Sequence, residues 1–198
     1  MKRREFIQAL IGSSIASGTV LFADDTRAAT NQPSLRFLRP PGALLQGEFE
    51  ARCIRCGKCG EVCPNRTIKY FGFENGLSSL DTPYIIPREQ ACILCMKCGE
   101  VCPTGAIKSI IRDAENILSQ VKMGKARVNK SICLSWQGKT CGVCYRACPL
   151  QDVAIKIGML EQPHVQDGCV GCGLCERSCI QIPQAIRIIP DHTLNQST

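Results

Sequence analysis

The stretch Cys53-Ile54-Arg55-Cys56-Gly57-Lys58-Cys59-Gly60-Glu61-Val62-Cys63-Pro64 decides how the rest of the chain is read. It places four cysteines at gaps of two, two and three residues, and a proline follows. The run returns at Cys92, Cys95, Cys98 and Cys102, again followed by a proline, Pro103. It returns once more at Cys169, Cys172, Cys175 and Cys179, where Ile180 takes the proline's place. A variant, Cys133, Cys141, Cys144 and Cys148 before Pro149, widens the first gap to seven residues and keeps the other two. The four groups use all 16 cysteines of the 198-residue chain. Other core material is scarce: the 44% hydrophobic share includes those cysteines, and aromatics reach only 5%. A chain this long normally buries a larger aliphatic and aromatic core, so the cysteines must replace part of it. The composition excludes a collagen, a coiled coil and a fully disordered chain.

Three cysteines at intervals of three let one tightly wound loop aim three thiolates at a single iron–sulfur cube. The spacing of the first, second and fourth groups is that of the bacterial 4Fe–4S run, whose fourth cysteine in two-cluster ferredoxins serves the neighbouring cube. Zinc would ask for two cysteine pairs at a distance rather than four cysteines in one run. A disulfide scaffold would need no such regularity. Glycines 57, 60, 99, 142, 171 and 173 suit a backbone that bends sharply and approaches sulfur closely. Backbone N–H groups there can hydrogen-bond the sulfurs. The formal charge of +7 counts cysteine as neutral. Sixteen iron-bound thiolates reverse that balance, so the basic excess offsets cluster charge and nucleic acid is excluded as a partner.

The groups sit in an internal repeat of strand, cysteine loop, short helix and strand. Thr67-Ile68 and Ala106-Ile107 lie four and five residues past their fourth cysteines, while Ala154-Ile155 and Ala185-Ile186 lie six and seven past theirs. These offsets pair group one with two, and three with four. Strands are predicted at Ile68–Phe73, Ile107–Ile111, Ala154–Ile157 and Ile186–Ile189. Others are predicted around Tyr84-Ile85-Ile86, Ala126-Arg127-Val128 and Pro163-His164-Val165. The fold expected is α+β and loop-rich, with two tandem bacterial-ferredoxin-like modules of two clusters each. Module 1 covers 47–111 and module 2 covers 126–190. A linker at 112–125 has helical periodicity, with an extended arm at 30–46 and a tail at 191–198. In the tandem reading Cys53, Cys56 and Cys59 share a cluster with Cys102, and Cys92, Cys95 and Cys98 share one with Cys63. Likewise Cys133, Cys141 and Cys144 share with Cys179, and Cys169, Cys172 and Cys175 with Cys148. The rival is a nested pairing of groups one with four and two with three.

The N-terminus reads as an export signal over 1–29: a basic start, a weakly apolar stretch from Ala9 to Ala23, and small residues at Ala28-Ala29. Arg3-Arg4, followed by Glu5-Phe6-Ile7, resembles the twin-arginine motif. That route carries folded proteins, so iron–sulfur clusters can be assembled before export, by way of the twin-arginine translocation machinery, to the periplasm. Beyond this segment no apolar run reaches the 18 residues of a membrane span.

Two further stretches point to one family. Arg39-Pro40-Pro41-Gly42-Ala43 precedes the first group. The widened third group reads Cys133-Leu134-Ser135-Trp136-Gln137-Gly138-Lys139-Thr140-Cys141, then Cys144-Tyr145-Arg146-Ala147-Cys148-Pro149. With the twin-arginine start, these resemble the NapG/MauM family of ferredoxin-type proteins over about residues 35–190, most closely its NapG branch, the ferredoxin subunit of a quinol dehydrogenase. The resemblance implies four 4Fe–4S clusters in a periplasmic electron-transfer protein held at the inner membrane through a partner. It implies a membrane-embedded, NapH-like quinol-oxidising iron–sulfur protein as donor and a periplasmic redox protein as acceptor. By analogy the route leads to nitrate reductase. The alternatives are a MauM-like role in methylamine utilisation and an iron–sulfur subunit of a molybdenum-type oxidoreductase. No nucleophile–base pair or phosphate loop marks a substrate site, so the chain is read as no enzyme in itself. Trp136 and Tyr145 are expected to pack over clusters. His164 and His192 are read as surface residues, and Arg55, Lys58, Lys97 and Arg146 as solvated charges around the loops.

Overall fold

The computed structural model describes residues 37–191. The Arg3-Arg4 signal and His192 lie outside them. All described residues fall within one compact unit.

The cysteine runs cut the chain into pieces too short for long elements. Each run ends in a single helical turn that starts one residue before the third of its cysteines. These turns are α2 (Lys58–Glu61), α3 (Lys97–Glu100), α5 (Val143–Arg146) and α6 (Leu174–Ser178). The residue before each turn is left-handed: Gly57 at φ 76°, Met96 at 61°, Gly142 at 55° and Gly173 at 85°. That one conformation swings the chain from loop into helix and brings the second and third cysteines to the same side. Two longer helices are α1 (Gln46–Arg52) and α4 (Ala114–Gln120). Asp113 caps α4 by accepting the Asn116 N–H at 2.8 Å, so the linker is helical over its middle.

Among the described residues there are three two-stranded antiparallel sheets, two of them between successive runs. β1 (Ile68–Tyr70) pairs with β2 (Pro83–Ile85), aligning Ile68 with Ile85. β4 (Ile155–Ile157) pairs with β5 (Pro163–Val165), aligning Ile155 with Val165. The longest sheet joins β3 (Gly124–Val128) to β6 (Ile186–Pro190), from the strand before the third group to the strand after the fourth. In each half, therefore, the strand after one cysteine group turns back to pair with the strand before the next.

The segment 107–111 forms no strand. Only Ala43 bridges Ile107, with Lys108 N–H donating to Gly42 O at 2.8 Å and Leu44 N–H to Ala106 O at 3.1 Å. Pro40 and Pro41, just upstream, offer no N–H, so the ladder cannot lengthen. From Leu38 onward the expected arm is built into the fold. Leu38 is fully buried and exchanges both backbone hydrogen bonds with Ile85. Arg39 stacks its guanidinium 4.6 Å from the Phe49 ring centre and donates to Thr82 Oγ1 and Pro83 O. The Arg-Pro-Pro-Gly-Ala stretch thus stands in for an outer strand.

The main core runs through both halves of the chain. Leu38, Ile85 and Met96 from one half pack in the same cluster as Ile155, Ile186 and Ile188 from the other. A smaller cluster gathers Phe49, Ala106 and Ile107 around Cys98. Burying Phe49 completely contributes about 1.5–3 kcal/mol. Backbone bonds also cross between halves: Cys92 N–H donates to Cys172 O at 3.0 Å, and Met123 N–H to Val170 O at 3.1 Å. Arg88 Nη1 reaches the carbonyls of Glu176, Arg177 and Cys179, and Arg177 answers by donating to Glu89 O and Gln90 Oε1.

Candidate metal centres

Four cavities lie beside the helical turns, and each is lined by four cysteines. The first is lined by Cys53, Cys56, Cys59 and Cys102. The second is lined by Cys63, Cys92, Cys95 and Cys98. The third is lined by Cys133, Cys141, Cys144 and Cys179. The fourth is lined by Cys148, Cys169, Cys172 and Cys175. Each cavity takes three cysteines from one group and the fourth from its partner group in the same half. The same four-thiol lining, repeated four times, argues for one kind of occupant throughout.

The donor set tests which occupant fits. All sixteen cysteines are free thiols. Among the described residues no three Cys, His, Asp or Glu side chains converge closely enough to hold a single metal ion. The thiols surround a volume instead of a point, which suits a polynuclear group whose separate iron atoms each take one thiolate.

Electrostatics point the same way. Burial, reinforced by neighbouring thiols, pushes Cys98 and Cys172 up to about 12 and Cys144 up to about 11. Cys92 and Cys175 are raised by the same causes. Several thiolates in one dry pocket repel each other, and only a bound cationic group makes them all favourable. Cys102 moves the other way. Burial raises it, but the Ile107 N–H and the Thr104 hydroxyl outweigh that and lower it.

Backbone N–H groups are aimed at sulfur as such a group requires. Thr67 donates to Cys63 Sγ at 3.5 Å, while Leu94 donates to Cys92 Sγ, Ile107 to Cys102 Sγ and Ala126 to Cys169 Sγ, each at 3.4 Å. Thr67 and Ile107 occupy the offsets that stand out in the sequence. Two left-handed residues flank the second cysteine in three groups: Arg55 and Gly57, Leu94 and Met96, Gly171 and Gly173. Such alternation folds N–H groups into an anion-binding concavity. In the second group the positions carry large apolar side chains, exposed by only 4% and 2%. Each left-handed non-glycine residue costs about 1–2 kcal/mol, and the return is apolar cover beside the second set, with Met96 in the wall of its cavity.

Tyr70 has no marker in the sequence. Its hydroxyl donates to Gly57 O at 2.5 Å and accepts the Gly60 N–H at 3.1 Å. Burial and the neighbouring Cys59 push its ionisation up to about 12, so it remains a neutral donor. Gly60 is explained by this contact: a Cβ there would sit 2.2 Å from the tyrosine oxygen. Leu94 and Met96 are also missed by motif reading, although their signal was present as two non-glycine residues where the fourth group has Gly171 and Gly173.

Trp136 differs from expectation. Leu134 and Ser135 line the third cavity, but Trp136 does not. It is half-buried, with Lys130 Nζ 4.1 Å from the ring centre and the His164 ring 5.4 Å away on an edge-to-face contact. The widened loop therefore carries a small cluster of its own beside the cavity. Tyr145 hydrogen-bonds Asp152 at 3.1 Å. Among the flanking charges, Arg55 and Lys58 line the first cavity. Arg146 pairs with Glu161 at 2.8 Å, and Lys97 is exposed.

Residues 52–106 match the family described as the 4Fe-4S dicluster domain. Over most of the chain the match is to whole proteins. The ferredoxin-type protein NapG of Escherichia coli (strain K12) is 35% identical over 95% of this chain and 85% of its own length. The methylamine utilization ferredoxin-type protein MauM of Methylorubrum extorquens is 38% identical over 82% of this chain and 76% of its own. The chain belongs to the NapG/MauM family of ferredoxin-type proteins. A further member, MauM of Paracoccus denitrificans, is 36% identical over 78% of this chain and 72% of its own. Family membership makes this an iron–sulfur electron-transfer protein. Among the described residues no helix is long and apolar enough to cross a membrane.

Proposed function

We propose that this NapG/MauM protein carries four 4Fe–4S clusters in two tandem ferredoxin-like modules and relays electrons from a membrane quinol-oxidising partner to a periplasmic redox enzyme. The observation that carries the reading is the set of four cavities, each lined by three cysteines of one group and one of its partner group. The same grouping supports crossed ligation within each half: Cys53, Cys56, Cys59 and Cys102; Cys63, Cys92, Cys95 and Cys98; Cys133, Cys141, Cys144 and Cys179; Cys148, Cys169, Cys172 and Cys175. The nested alternative would need thiols from different halves around one cavity.

When bound, each cluster accepts and releases a single electron. The chain's own residues supply the rest. Thiolates anchor the iron. The N–H groups of Thr67, Leu94, Ile107 and Ala126 stabilise charge on sulfur. Leu94, Met96 and Val170 exclude water.

The donor is taken to be NapH-like and the acceptor a periplasmic nitrate reductase, as the resemblance to the NapG branch implies. Comparable identity to MauM proteins supports a second route, in methylamine utilisation. Export by the twin-arginine machinery through Arg3 and Arg4 completes the reading. Changing both arginines to lysine should hold the protein in the cytoplasm.

The central experiment is iron and acid-labile sulfide per chain after anaerobic purification, with EPR of the reduced protein. About sixteen of each, with interacting signals, is the result expected of four cubes. Zinc, or intact disulfides with little iron, would overturn it. Co-purification after detergent extraction then separates the partners. A membrane iron–sulfur protein supports the relay, and a large catalytic subunit supports the molybdenum-type alternative.

A further inference from the structure

We propose that the four cysteine sets form one unbranched row, first–second–fourth–third, whose junction between the halves is the contact of Cys92 with Cys172. This rests on the reading of the cavities as cluster sites and adds their order, which does not follow the sequence.

Three neighbour relations build the row. Cys98 of the second set is buried in the same small core as Cys53, Cys59 and Cys102 of the first. Across the halves, Cys92 N–H donates to Cys172 O at 3.0 Å, joining the second set to the fourth by their own ligand residues. In the second half, α5 with Cys144 of the third set packs on α6 with Cys175 of the fourth, and Cys144 lies against the core that buries Cys175.

The junction is built tightly. A Cβ on Gly173, next to Cys172, would sit 2.5 Å from Pro87 Cβ. Arg88, beside that proline, holds the carbonyls of Glu176, Arg177 and Cys179 at 3.0–3.3 Å. The two loops are therefore clamped where their ligands meet.

Exposure follows the same order independently. The second set has two buried cysteines, Cys92 and Cys98, and the fourth has two, Cys172 and Cys175. The third has one, Cys133, and the first has none. Cys56 of the first set is the single exposed cysteine of the sixteen. Sets placed inside a row are shielded by their neighbours on both sides, while end sets remain open to partners. The burial pattern is that of a row with the first and third sets at its ends.

The test is magnetic. Reduced clusters that are neighbours broaden and split each other's EPR signals. In Cys95→Ala, which removes the second site, the first should become an isolated, sharp spin while the fourth and third stay coupled. In Cys172→Ala the third should become the isolated one. A first-site signal still split after loss of the second overturns the order. If a buried-ligand variant does not fold, Cys56→Ala and Cys141→Ala ask the question from the ends. Each should leave three mutually coupled spins, and an isolated signal in either defeats the proposal. Iron content of the unaltered protein separates the two levels of failure. Iron far below about sixteen per chain removes the cluster reading itself, whereas full iron with the wrong couplings removes only the order.

Discussion

The two halves of the molecule enclose cavities of the same four-thiol lining with different frames. In the second half, β3 and β6 form a ladder of five aligned pairs, from Gly124 with Pro190 to Val128 with Ile186. In the first, that place is held by the single bridge of Ala43 with Ile107. The shortfall is made up by side chains. Phe49 of α1 fills the space beneath, Arg39 lies across it, and Phe37, Phe71 and Tyr84 form an aromatic trio with ring centres 4.3–4.7 Å apart. The cysteine loop with its left-handed turn is thus the constant part, and the strands around it are interchangeable supports. The halves should accordingly respond differently to the same insult.

The largest difference should appear on removing iron. With thiols in place of ligated thiolates, both halves lose their interior bonds, but only the second keeps a five-pair ladder. Amide exchange after chelation should strip protection from 53–107 first and from β3 and β6 last. Loss in the reverse order would mean that the bridge and aromatic trio outweigh the ladder. Next comes the fourth cysteine. Cys102→Ser should deplete the cluster of Cys53, Cys56 and Cys59 and spare the one nearer Cys92, and Cys179→Ser should act likewise on the third set. Selective loss near Cys92 would break the parallel between halves. Phe49→Ala should then cost about 3–5 kcal/mol, read as a lower denaturation midpoint confined to first-half probes. An equal fall at β3 and β6 would show the two halves melting as one. Smallest is Tyr70→Phe, which removes the hydroxyl beside Cys59 and its two hydrogen bonds, to Gly57 O and from the Gly60 N–H, each worth about 0.5–1.5 kcal/mol. The first site's potential should shift while the other three hold, and a uniform shift would deny Tyr70 a local role.

Much of this was legible because cysteine spacing is a geometric instruction. A turn that brings three thiols together leaves few backbone paths, so the four groups and the short strands around Tyr84, Ala126 and His164 could be placed from residues alone. What escaped depends on contacts distant in sequence. Nothing local distinguishes an arm from an outer strand in Arg39-Pro40-Pro41-Gly42-Ala43, because the difference lies in Lys108 and Ile85. Tyr70 reads as an ordinary strand residue until Gly57 and Gly60 are folded against it. The segment 107–111 has strand composition, but its pairing was forbidden by two prolines more than sixty residues earlier. Trp136 was drawn toward the cavity by its place in the cysteine loop, whereas Lys130 and His164 hold it elsewhere.

The exposure of Cys56 has a chemical cost. A thiolate that a partner can reach can also be reached by peroxide or dioxygen, and oxidation through sulfenic to sulfinic acid begins at accessible sulfur. Corrosion should therefore start at this one residue. In the proposed row it stands at one end, so early damage there would disconnect the row from a redox partner while leaving most of the iron in place. A sample that has met air can then keep nearly all its colour and still have lost its connection.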